Sequence, residues 1–151
     1  MNRSAASSAL DPTLALVIHG AMSQSLATVS LLVADYDEAI TFYCDTIGFD
    51  LVEDTDMGGG KRWVLVAPRG QAGAQLLLAK AHGEVQQAAV GNQGGGRVMF
   101  FLETNNLPKD HAAMIERGVK FLEEPRHEAY GSVVVFQDLY GNKWDLIQPK
   151  R

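Results

Sequence analysis

A chain that matches itself at a fixed offset is built from copies of one folding unit, and that constraint outweighs every other feature of this sequence. Shifted by seventy positions, Gly48 falls on Gly118, Glu53 on Glu123, Val64 on Val134 and Leu76 on Leu146. In the first copy Val29, Leu31 and Val33 alternate with Thr28, Ser30 and Leu32, the period-two pattern of a strand with two unlike faces. Asp35 is placed to cap a helix in which Tyr36, Ile40, Tyr43 and Ile47 recur at helical spacing until Gly48 ends it. In the second copy Val98, Phe100 and Leu102 form the apolar row, Pro108 opens the helix and Gly118 closes it. Each copy finishes in two more strand-like runs, "RWVLVAP" and "AQLLLAK" in the first, "SVVVFQD" and "WDLIQP" in the second. The expected fold class is therefore α+β, two βαβββ modules in tandem over residues 27–80 and 97–149. Residues 81–96, small, polar and glycine-rich, read as a linker between them. Residues 1–24, rich in Ser and Ala, read as a flexible arm, with Met22 as an alternative start, ahead of a single domain over 25–149.

Composition limits what such a domain can do. A length of 151 residues with 46% hydrophobic content suits one domain with a proper core. Thirteen basic residues, scattered along the chain, stand against eighteen acidic ones, a formal net charge of −5, which argues against nucleic acid as a partner. The one cysteine, Cys44, excludes an internal disulfide and a cysteine-rich zinc site. The longest apolar run, "LALVIHGAM", is broken by His19 and Gly20 and is too short to span a bilayer or to serve as a secretory signal. A soluble, cytoplasmic protein with no membrane partner is expected.

The module plan, with "LLVADYDEAITFYCDTIGF" in the first copy and "RGVKFLEEP" and "YGSVVVFQDLYGNKWDLIQP" in the second, resembles the vicinal oxygen chelate superfamily. That superfamily includes glyoxalase I, extradiol dioxygenases and the fosfomycin- and bleomycin-resistance proteins, and the resemblance covers residues 27–149. It implies a curved, half-barrel mixed sheet with helices outside, a cavity that typically holds a divalent metal, and a homodimer. It also implies ligands from the first and last strand of each module, positions that fall here on Thr28, Gln75, Arg97 and Asp145.

Those four side chains are poor company for a metal. Gln75 and Asp145 can offer oxygen and would be the ligands of any ion present, but threonine is a weak ligand and a guanidinium has no lone pair to give. No cofactor is expected, a divalent metal included. If Arg97 and Asp145 face one cavity on neighbouring strands, a hydrogen-bonded pair is expected, because an unpaired buried charge is costly. Either that pair fills the vacated metal position, or Arg97 keeps spare donors for an anionic or carbonyl-bearing ligand.

Alternation extends the list of candidate ligand-binding residues. The face opposite the apolar rows carries Thr28, Ser30 and Leu32 in the first module and Arg97, Met99, Phe101 and Glu103 in the second, a mixed set suited to a pocket. Trp63 is a candidate pocket wall, whereas Trp144 should point to the helices. The loop "PRHEAYG" could bring His127, Glu128 and Tyr130 to the cavity mouth. His127 and Glu103 are then candidate general bases, or simply solvated side chains. "MGGGKRW", "GNQGGGR" and "DLYGN" read as turns, since none has a phosphate loop's spacing and helix. Cys44 reads as a packed side chain. Three functions follow: a metal-independent protein binding a small organic molecule, a metal-dependent lyase or dioxygenase with an atypical site, and a metal-free isomerase or lyase using Arg97 with Glu103 or His127.

Overall fold

The computed structural model describes residues 23–70 and 73–151; all but the last two residues of the expected arm lie outside them. The first module runs β1 (Thr28–Val33), α1 (Tyr36–Ile40), a π-wound continuation (Thr41–Ile47), β2 (Asp50–Gly58), β3 (Lys61–Ala67) and β4 (Gln75–Lys80). The Asp35 carboxylate accepts the Glu38 N–H at 2.9 Å and so caps α1. Gly48 ends the helix at φ 99°, a conformation that an L side chain resists. The helix is also the crossover that lets β1 lie parallel to β4, while β3 joins β4 and β2 antiparallel in the order β1-β4-β3-β2.

Past α2 (Gly83–Ala89), the second module repeats the plan with β5 (Val98–Glu103), α3 (Leu107–Glu116), β6 (Lys120–Phe121), β7 (Arg126–Glu128), β8 (Gly131–Gln137) and β9 (Lys143–Pro149). Its sheet has the order β5-β9-β8-β6, with β7 also on β8. The fold is thus α+β, with one mixed sheet per module. Two departures from expectation have local causes. The second module's second strand is split into β6 and β7 around Pro125, which has no N–H to give a ladder. The linker is also more than a tether: it contains α2 and carries Gln93 to the free edge of β1. There the Gln93 amide donates to Ser30 O at 3.2 Å and accepts from Leu32 N at 2.7 Å, as a neighbouring strand would.

One core joins the modules. Leu31, Val33, Val64, Val66, Leu76 and Leu78 from the back of the first sheet cluster with Val134, Phe136, Trp144 and Leu146 from the back of the second, the helices adding Tyr43, Ile47, Leu107 and Met114. Tyr43 sits at the junction, its ring against Phe49 and Trp144 and its hydroxyl donating to Asp138 Oδ2 at 2.6 Å. Asp138, 3% exposed, also accepts from Tyr140 N, Asn142 N and Asn142 Nδ2, so the "DLYGN" turn is a lock between modules as well as a hairpin. Arg117 adds a second clamp, donating through Nε to Thr46 O and through a terminal nitrogen to Ile47 O. Cys44 is half-buried and packs on the core, and burial pushes its thiol pKa up. Among the described residues no helix is long and apolar enough to cross a membrane.

Candidate ligand-binding faces

With both backs committed to the core, the sheet fronts are where polar chemistry collects. On the first sheet Thr28 lies beside Gln75, and Ser30 beside Leu77 and Leu65, with Trp63 two residues along β3. Thr28 and Ser30 are exposed, Gln75 is half-buried and the Trp63 side chain is 37% exposed. The first-module positions suggested by the sequence therefore share one face.

The second sheet rearranges its share. Phe101, Asp145 and Val135 stand in one row across β5, β9 and β8; Glu103, Ile147 and Val133 form the next. Phe101 is 64% exposed. Between Val98 and Phe100 the β5–β9 register slips, Val98 facing Lys143 and Phe100 facing Trp144. That extra residue reverses the alternation at the start of the strand. Met99, expected on the front, packs against the core instead. Val98, expected on the back, is the register partner of Lys143. Arg97 precedes the strand, is exposed, and is in none of the ion pairs among the described residues. The expected Arg97–Asp145 pair is absent because the bulge puts the two residues out of phase.

The cation that acts on Asp145 is Arg126. Burial raises the Asp145 pKa, Arg126 pulls it down and Glu123 pushes it up, while Oδ1 is buried with no hydrogen-bond partner among the described residues. Arg126 is itself held by Glu123 and Glu128 at 2.9 Å each, and its pKa is raised by those two carboxylates. Glu123 also accepts from Val135 N, next to Asp145 in the register. Sequence reasoning passed over Arg126 and Glu123, although the seventy-residue match of Glu53 with Glu123 singled one of them out. His127 alternates with Arg126 along β7 and turns away, its Nδ1 lying 2.8 Å from Ser132 Oγ. Tyr130 is 54% exposed at the hairpin leading into β8, Glu103 is exposed at the end of β5, and Trp144 is buried on the back as alternation requires.

These residues do not fit a divalent ion. Thr28 is a weak ligand and Arg97 brings a permanent cation with no lone pair, so that of the four only Gln75 and Asp145 offer good oxygen donors. Among the described residues no three His, Cys, Asp or Glu side chains gather to hold one.

Residues 25–146 match the family model described as Glyoxalase/Bleomycin resistance protein/Dioxygenase superfamily. An uncharacterized protein of Shewanella frigidimarina (strain NCIMB 400) is 49% identical over 128 residues, 84% of this chain and 95% of that one. Among solved structures, TnmS3, an antibiotic binding protein from Streptomyces sp. CB03234, superposes with a TM-score of 0.69 at 32% identity, covering 86% of this chain and 98% of its own. UcmS2 gives a TM-score of 0.73 at 27% identity, with 83% and 98% covered.

Proposed function

The chain belongs to the Glyoxalase/Bleomycin resistance protein/Dioxygenase superfamily, and from that membership we propose that it binds a small organic molecule, anionic or carbonyl-bearing, without a resident metal. The observation that carries this reading is the contrast between the faces of each sheet. The backs are sealed in one core, while the fronts present Trp63 and Phe101 partly or largely exposed, the latter beside a carboxylate with an unpartnered buried oxygen. Exposed aromatic rings beside a few polar groups are what a ligand surface needs. Arg97, exposed just ahead of β5 and in no ion pair among the described residues, keeps guanidinium donors for a negative or carbonyl group. The likeness to an antibiotic binding protein supports the same direction.

Among the described residues no segment closes over Trp63 or Phe101, so a second copy closes the fronts, and the working form is a homodimer whose facing sheets enclose the ligand. Thermal-shift screening against aromatic antibiotics and anionic metabolites, followed by calorimetry, tests the ligand; light scattering tests the dimer. A ligand at one hundred times its Kd stabilises the fold by about 2.7 kcal/mol, and Phe101→Ala should abolish much of that gain. A chain that stays monomeric at high concentration and is stabilised by nothing in the screen refutes the reading. Tightly held divalent metal in protein purified without chelator, lost on Asp145→Asn, would instead favour the metal-dependent lyase or dioxygenase alternative.

A further inference from the structure

The β3–β4 ladder of the first module is open where its counterpart in the second is closed. Strands β8 and β9 pair residue for residue from Gly131–Pro149 to Gln137–Lys143, whereas β3 and β4 pair at Leu65–Leu77 and Val66–Leu76 alone. Past Leu77 the two strands part, β4 staying with β1 and β3 with β2. The Tyr36 hydroxyl reaches into the gap and accepts the freed Arg62 N–H at 3.1 Å. The result is a cleft of ≈ 570 Å³, within the usual range for a small-molecule site.

Its lining is one-sided in charge. Lys61 and Lys80 stand on the two parted strands, with the Trp63 ring, Leu77 and His82 between and beyond them, and no carboxylate lines it. Arg62 is already neutralised by Asp37 at 2.9 Å and Asp54 at 2.7 Å. Among the described residues, neither Lys61 nor Lys80 is in an ion pair. In a chain of net charge −5, two uncommitted ammonium groups around an exposed indole mark a place for negative charge next to a flat ring.

We propose that the cleft between the parted ends of β3 and β4 holds a planar aromatic carboxylate, its ring on Trp63 and its charge between Lys61 and Lys80. The inference rests on the small-molecule reading above and gives it a ligand class and a location in the first module. The test is calorimetry on the full chain with 2-naphthoate and its neutral isostere 2-naphthamide, at low and high salt. It compares the wild type with Lys61→Gln/Lys80→Gln and with Phe101→Ala, circular dichroism reporting the fold of each. The acid is expected to bind at least tenfold tighter than the amide and to weaken several-fold in high salt. The double lysine variant should lose about tenfold for the acid and nothing for the amide, as for charge-assisted contacts.

Equal binding of acid and amide, indifference to the lysine substitutions, or no naphthoate binding by folded protein overturns the cleft. Naphthoate binding lost in Phe101→Ala yet unchanged in the lysine variant also overturns it, while leaving the shared front-face cavity standing. Loss confined to the lysine variant, in a chain that stays monomeric, keeps the cleft and removes the shared cavity.

Discussion

Tyr43→Phe isolates the contact that ties the first helix to the far turn of the second module. The substitution keeps the ring among Phe42, Phe49 and Trp144 and deletes one hydroxyl, which donates to Asp138 Oδ2 at 2.6 Å. Asp138 keeps its donors from Tyr140 N, Asn142 N and Asn142 Nδ2 but loses one bond in a place where water does not reach, the residue being 3% exposed. A hydrogen bond to a charged group is worth about 1.5–3 kcal/mol, so the expected cost is about 2 kcal/mol, or a melting temperature lower by about 6 °C. Burial, and next the Asp138 charge, raise the Tyr43 pKa well above its ordinary 10.0. The unfolded chain releases this proton near the ordinary value and the folded chain later, so the stabilisation is complete below pH 10 and is lost as pH climbs toward the folded value. Urea unfolding of both proteins should therefore show a constant gap up to pH 10 that then narrows by up to about 1.4 kcal/mol per pH unit. A gap under about 0.5 kcal/mol at pH 7, or one that stays constant from pH 9 to 11, would refute the argument that this hydroxyl is a buried, charge-bonded donor.

Arg117→Ala removes two donors from the carbonyls that end the first helix. About 1 kcal/mol of stability should go with them, read from the denaturant midpoint, with Arg117→Lys recovering part. Gly91→Ala should be far worse than Gly96→Ala. Both have positive φ, but a Cβ at Gly91 would stand 1.9 Å from Tyr140 O while one at Gly96 meets nothing within 4 Å. The first change is expected to cost more than about 3 kcal/mol or prevent folding and the second about 1, as thermal unfolding would show. Asp145→Asn should stabilise the free protein at pH 7. Burial raises the folded pKa above the ordinary 3.8, so the cost of ionising the side chain builds from the ordinary value and is complete once pH exceeds the folded pKa, and the variant's advantage should vanish in melts run below the ordinary value.

The sequence by itself determined the modules and their back faces. A repeat at seventy residues, period-two rows such as Val29, Leu31 and Val33, a capping Asp35 and terminating Gly48 and Gly118 are local signals, and each holds because backbone geometry and burial act over a few residues. The same alternation placed Thr28, Ser30 and Trp63 on one front and Trp144 on a back, while Gln75 came to that front from the family resemblance. Tertiary structure alone decided the rest. A single extra residue at the start of β5 turned Met99 into the core and kept Arg97 from Asp145, and nothing in "GGGRVMFF" announces a bulge that only pairing with β9 creates. Arg126 came to act on Asp145 because β7 pairs with β8, across a proline that the linear pattern gave no reason to see past. The bond between Tyr43 and Asp138, 95 residues apart, and the parting of β3 from β4 likewise depend on how elements meet. Which residues can form a strand is written in their spacing, but which charges become neighbours is fixed only when strands choose partners and register.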